Sequence, residues 1–108
     1  MKRKNKYFNK RTKSGFDSKG ESRRYNELIL LERANEITEL VCQPRFDFIY
    51  NNIKICYYKA DFSYKNKEGD LVVEDYKSSY TAKLPVYRLK KKLMKAFYDI
   101  NIVEVIKK

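Results

Sequence analysis

The sequence contains no histidine and no tryptophan among its 108 residues. The missing imidazole removes Ser-His-Asp and Cys-His catalysis, histidine-ligated nuclease metals and His/Cys zinc sites, so any chemistry has to come from carboxylates and lysine. Cysteine is scarce as well. Cys42 and Cys56 stand outside any CxxC spacing and are too few for a disulfide framework, which suits free thiols in a reducing compartment. No apolar run approaches the ~20 residues of a membrane span. The opening stretch MKRKNKYFNKRTKSG lacks the apolar centre of a signal peptide. The expectation is a soluble intracellular protein with no membrane partner. Three glycines and two prolines fit one domain with a single small core.

What the chain has in excess is positive charge: 25 Lys and Arg face 14 Asp and Glu, a net of +11. Such a field attracts polyanions, and a neutral small-molecule substrate would not need it. The charge is also unevenly placed. Residues 1–16 hold seven bases and no acid, residues 83–95 hold six and no acid, yet residues 25–82 hold seven bases against ten acids. An acidic middle kept inside an anion-attracting protein needs its own reason, and cation binding is one.

Ser18-Lys19-Gly20-Glu21 reads as a capping box opening a helix, with Tyr25, Leu28, Ile29 and Leu31 as its apolar stripe to about Ala34. Ile37 to Tyr50 reads as extended, with an irregularity at Pro44. Asn51-Asn52 is a turn, and strand character resumes from Ile53 through Tyr64, as two strands or one bent one. Lys67-Glu68-Gly69 is a hairpin loop with glycine where a left-handed residue is required, and Leu71 to Lys77 returns. Pro85 starts a second helix carried by Val86, Leu89, Leu93, Ala96, Phe97 and Ile100, and Ile102 to Ile106 closes with a strand. The order is helix, three or four strands, helix, strand. The basic arm is residues 1–15 and the folded domain is residues 16–108.

Alternation along Leu71–Lys77 puts Asp75 and Lys77 on one face and Glu74 and Tyr76 on the other. A three-residue loop at 67–69 sets Asp61 directly opposite Asp75, whereas a two-residue loop would turn the two acids to opposite faces. Like charges opposed on a sheet cost up to roughly 1 kcal/mol. A bound Mg²⁺ reverses that sign, because it takes one or two carboxylates together with water and phosphate oxygens. Lys77 beside such a site could position or deprotonate a water, or meet charge on a phosphate. Glu21 is a candidate third carboxylate, although the capping box alone explains it. Charged residues are also ordinary on a solvated strand face.

The segment order together with Glu21, Asp61 and Asp75-Tyr76-Lys77 resembles the restriction-endonuclease-like PD-(D/E)XK superfamily. The proline of that motif is absent, since Ala60 precedes Asp61. The stretches FDSKGESRRYNELILLERANEITELVCQPRFDFI, ADFSY, LVVEDYKS and YRLKKKLMKAFY further resemble a family of small phage and prophage proteins assigned to it. The resemblance spans roughly residues 15–106. It implies an α+β fold with an αβββαβ core, its mixed central sheet flanked by helices. It also implies Mg²⁺, with Mn²⁺ able to substitute, held by Glu21, Asp61 and Asp75, with Lys77 assisting the water and Gln43 as an auxiliary site residue. Asp75 stands where glutamate is commoner.

The function so implied is a phage endonuclease acting on DNA in the bacterial cytoplasm, selective for branched structures as Holliday-junction resolvases are, and homodimeric. Lys2, Arg3, Lys4, Lys10 and Arg11 of the arm, with Arg88, Lys90, Lys91, Lys92 and Lys95 of the second helix, would grip phosphates without reading bases. Ten tyrosines and six phenylalanines could stack on unpaired bases, or serve a core and a dimer interface. The alternatives are a non-catalytic basic DNA-binding subunit of a phage recombination or replication complex, and an RNA-associated basic protein whose acids are mere surface.

Overall fold

The computed structural model describes residues 19–106. The arm lysines and arginines and the expected helix cap at Ser18 lie outside the described residues. Helix α1 spans Lys19–Arg33. Its apolar stripe behaves as the spacing predicts, with Leu28 fully buried and Tyr25 and Leu31 packed around it. The helix stops where Asn35 takes a left-handed φ of 62°, and the Glu36 N–H donates back to the Leu31 carbonyl at 2.9 Å. Asparagine tolerates that conformation better than most residues.

Six strands follow: β1 (Thr38–Cys42), β2 (Arg45–Tyr50), β3 (Ile53–Lys59), β4 (Phe62–Lys65), β5 (Leu71–Lys77) and, after helix α2 (Pro85–Tyr98), β6 (Val103–Ile106). The main sheet has the order β1-β4-β5-β6, antiparallel except for the parallel β5/β6 pair, and β2 with β3 forms a separate two-stranded sheet. The protein is therefore an α+β domain with a mixed sheet. With the β2/β3 hairpin set aside, its order is helix, three strands, helix, strand.

That hairpin corrects the strand reading of residues 37–64. The irregularity at Pro44 is a full break, and the opposing strand breaks at Ala60-Asp61. The Gln43 N–H donates to the Asp61 carbonyl at 2.8 Å and the Ala60 N–H to the Pro44 carbonyl at 3.0 Å, so one long antiparallel ribbon bends at these four residues and leaves the main sheet. Gln43 has φ 54°, a conformation uncommon for a residue with a side chain. Asn51 and Asn52, both at positive φ, close the far end of the hairpin as expected.

The β4/β5 hairpin has the register that the three-residue loop requires: Phe62 faces Glu74 and Lys65 faces Leu71. The Asn66 N–H donates to the Asp70 carbonyl at 3.0 Å, and Gly69 sits at φ 87°. Two cores result. Leu28, Ile37, Phe62 and Tyr64 pack beneath α1, while Phe48, Tyr58, Ala60, Val73, Tyr87 and Met94 pack between the other sheet face, α2 and the hairpin.

Helix α2 begins at Pro85 as read, but it is rolled relative to its apolar spacing. Tyr87 and Met94 are buried, while Val86 and Leu89 are 65% and 55% exposed. The hairpin's aromatics cause this: Phe97 meets Phe48 at 5.5 Å between ring centroids and Tyr98 meets Phe46 at 5.4 Å.

Candidate metal centre

Period-two alternation sends β5 side chains to opposite environments. Glu74 and Tyr76 turn towards α1. Arg24 grips Glu74 with both arms, Nε to Oε1 at 2.9 Å and Nη2 to Oε2 at 2.7 Å, and the Tyr64 hydroxyl donates to the same carboxylate. Gly20 lets the first turn of α1 lie on Tyr76, because a Cβ there would stand 2.1 Å from the tyrosine oxygen. Asp75 and Lys77 turn the other way. Asp75 is buried at 1% exposure, accepts a hydrogen bond from the Tyr58 hydroxyl, and has Lys77 Nζ 3.4 Å from its Oδ2.

Asp61 stands at the ribbon bend. Its backbone N–H donates to the Glu74 carbonyl at 3.2 Å, and its Oδ2 accepts the Tyr76 N–H at 2.6 Å. Burial pushes its carboxyl up to about 8, helped by a hydrogen bond to Asp75 and by the charges of Asp75 and Glu21, and opposed by the Tyr76 N–H. Two carboxyl groups thus share one partly desolvated spot, and only the ammonium of Lys77 forms an ion pair there among the described residues. Glu21, buried in the first turn of α1, enters through its charge on Asp61. Gln43 meets Asp61 through its backbone.

Among the described residues no three Asp, Glu, Cys or His side chains gather in a ready-made cation cage. The donor set still suits a hard divalent ion, since Asp61 and Asp75 are oxygen ligands whose mutual repulsion a cation would relieve, and Mg²⁺ needs only one or two carboxylates. The two acids and Lys77 come together, but not as the strand pair expected: the ladder ends at Phe62 and Glu74, and Asp61 reaches Asp75 from the bend just outside β4. Tyr58 and Tyr87 were missed. Of the two uses open to the tyrosines, base stacking or a core, these two take the core: Tyr58 is buried against Asp75, and Tyr87 is buried beneath Lys77 Nζ, 4.7 Å from its ring centre, with its hydroxyl donating to Glu104 Oε2 at 2.8 Å. Tyr58 precedes a strand break that the alternation pattern alone does not disclose.

The α2 cations divide into two sets. Lys91 pairs with Glu104 at 2.8 Å and Lys95 with Asp99 at 2.6 Å. Arg88 and Lys92 line a shallow surface depression beside Pro85 and Leu89. Lys90 lies 5.4 Å from the ring centre of Tyr57. Cys42 and Cys56 are free thiols, and no helix among the described residues is long and apolar enough to cross a membrane.

Residues 4–108 match the family described as a protein of unknown function, DUF1064, and the chain belongs to that family. No curated protein and no solved structure matches it.

The raised Asp61 carboxyl fixes a pH dependence. A carboxyl whose folded pKa lies above its unfolded value near 3.9 binds its proton more tightly in the fold, so stability falls as pH rises between the two values. Metal-free protein is expected to melt higher at pH 5 than at pH 8.5, with the decline completed as pH passes about 8. Mg²⁺ held by the ionised pair would raise the melting temperature more at pH 8.5 than at pH 5. Calorimetric scans in EDTA and in Mg²⁺ measure both, and a metal-free melting temperature that rises over this range would contradict the crowding of the two acids.

Proposed function

We propose that the protein is a Mg²⁺-dependent endonuclease of phage origin that hydrolyses DNA phosphodiesters, selective for branched DNA and acting as a homodimer. The observation that carries this reading is the meeting of Asp61, at the ribbon bend beside β4, with Asp75 of β5, with Lys77 Nζ 3.4 Å from Asp75. Folding alone disfavours two carboxyl groups in one desolvated spot. Asp61 and Asp75 would hold the ion, with Glu21 adding negative charge nearby. A bound Mg²⁺ supplies Lewis acidity towards a phosphate oxygen and lowers the pKa of water.

The chain's own residues do the rest. The Tyr58 hydroxyl and the Lys77 ammonium both converge on Asp75 Oδ2 and hold that carboxylate in place. The Tyr76 N–H fixes Asp61 in the same way. Lys77, half-buried against the ring of Tyr87, is set to meet a phosphate oxygen or to orient an attacking water. Arg88 and Lys92 provide sequence-independent phosphate contacts. A domain of this size has little surface for reading bases, which favours recognition of DNA shape.

Cleavage of a four-way junction, a 5′ flap, linear duplex and single strand, in Mg²⁺, Mn²⁺ or EDTA, tests the proposal. Metal-dependent cutting with junction or flap preferred is expected. No cutting of any substrate leaves a non-catalytic DNA-binding subunit, and equal cutting of junction and linear duplex removes the structural selectivity. Lys77→Met is expected to slow cleavage about 100-fold and, because it strips the buried Asp75 of its ion-pair partner, to lower the melting temperature as well, so rates are compared on folded protein. Unaltered single-turnover rates would take Lys77 out of the chemistry.

A further inference from the structure

Beside the acid pair opens a cleft of about 360 Å³ between the hairpin and the start of α2. That volume lies near the lower end of small-molecule sites. Its walls include the exposed Tyr57, Leu84 and Val86, and its rim carries Lys59, Lys77 and Lys90. None of its lining residues is acidic. Lys77 belongs both to this cleft and to the Asp75 ion pair, so an occupant would sit next to the candidate metal centre. Tyr57 is held in place: the Arg45 guanidinium carbon lies 3.9 Å from its ring centre and Lys90 Nζ 5.4 Å.

We propose that this cleft is a nucleotide subsite that takes one unpaired nucleotide next to the scissile phosphate, its base against Tyr57 and Val86 and its phosphate on Lys59 and Lys90. The inference rests on the nuclease reading above and names what its substrate must offer. An aromatic and aliphatic wall rimmed by ammonium groups suits a ligand that joins a flat π-face to an anion, and a nucleotide is that ligand. Regular duplex shows its backbone and base edges but keeps the base faces stacked inside, so its phosphates would fill the rim and leave the wall without a stacked base. Branch points and single strands supply the missing base. A second copy of the chain is a poor occupant. A twofold contact through this face would bring six lysines together, and each chain already carries a net charge of +11.

The test is binding measured in EDTA, where no metal-dependent cleavage occurs, by fluorescence anisotropy of a dye-labelled oligothymidine and of a blunt duplex of equal length. Tyr57→Ala is expected to weaken single-strand binding about 5- to 10-fold and duplex binding less than about 2-fold, with an unchanged salt slope for both. Tyr57→Phe keeps wild-type affinity, because stacking needs the ring and not the hydroxyl. Lys90→Ala lowers the single-strand salt slope by about 1. Quenching of 2-aminopurine placed in the strand should vanish in Tyr57→Ala. Equal losses on both ligands, or no loss on either, overturn the subsite, as would a shift from dimer to monomer by sedimentation in Tyr57→Ala or Val86→Asp. Both substitutions fall on exposed positions, and far-UV circular dichroism confirms that they fold. Absent cleavage defeats the nuclease proposal alone, whereas an indifferent Tyr57 defeats the cleft alone.

Discussion

Asn at position 61 or 75 is expected to lower Mg²⁺-dependent cleavage by at least ~10³-fold, the several kcal/mol that a correctly held cation contributes to phosphoryl chemistry. In metal-free protein at pH 8.5, Asp61→Asn is expected to act in the opposite sense and raise stability. The substitution removes one of two crowded charges, while the amide oxygen can still accept the Tyr76 N–H that now reaches Asp61 Oδ2 at 2.6 Å. A gain of roughly 1 kcal/mol corresponds to a rise of ~4–8 °C in melting temperature for a domain of this size. Few structural acids behave in this way, since removing a carboxylate held only for folding lowers stability. Single-turnover cleavage and metal-free thermal melts are read on the same samples. Full cleavage by either variant would remove these acids from the mechanism, and a lower metal-free melting temperature for Asp61→Asn would mean that the pair is not electrostatically frustrated.

Arg24→Ala is expected to cost about 3–5 kcal/mol of stability, the usual result of stranding a buried charge. Glu74 has 2% of its side chain exposed, and its charge is met by the two hydrogen bonds from Arg24 and the one from Tyr64. Truncating the arginine leaves the carboxylate in the core beneath α1 with a single hydroxyl. Arg24→Met combined with Glu74→Leu should recover most of the loss, because an apolar pair of similar volume avoids desolvating either charge. Urea midpoints for the single and double variants measure the difference. A loss below about 1 kcal/mol in Arg24→Ala would show that water reaches Glu74. Since Glu74 and Asp75 face opposite sides of the sheet, folded molecules of the double variant should retain the acid pair and its metal response.

Much of the candidate site was legible because it depends on local geometry. Gly69 in a three-residue loop sets the β4/β5 register, which brings Asp61 to the end of the ladder and places Lys77 on the Asp75 face. Hydrogen bonds at the bend, Asp61 N–H to the Glu74 carbonyl and Tyr76 N–H to Asp61 Oδ2, complete the approach. The two helices and the closing strand followed from spacing, from Pro85 and from the β-branched run near residue 103. The hairpin's departure from the main sheet was not legible. It turns on a left-handed glutamine at position 43 and on hydrogen bonds between residues 16 and 18 apart, and neither leaves a mark on hydrophobic alternation. The roll of α2 was hidden for a related reason. Tyr87 and Met94 are buried because Phe48 and Tyr58 stand beneath them, and those aromatics arrive on a hairpin whose position was unknown. Tyr58 as the partner of Asp75 follows from that same displacement.

The short loop at 67–69 also carries a kinetic implication. Residues 62–74 form a self-contained hairpin of the kind that closes within ~1–10 μs, far sooner than contacts joining α1 to the strands some 50 residues away can be collected. Asp61 and Asp75 are thereby expected to meet while still in water, where dielectric screening makes their repulsion slight. The electrostatic burden falls on the later docking of the β2/β3 hairpin and α2, whose Tyr58 and Tyr87 pack on the Asp75 and Lys77 side of the sheet. Divalent ions added during refolding should accordingly speed that docking step and leave the earlier hairpin phase unchanged.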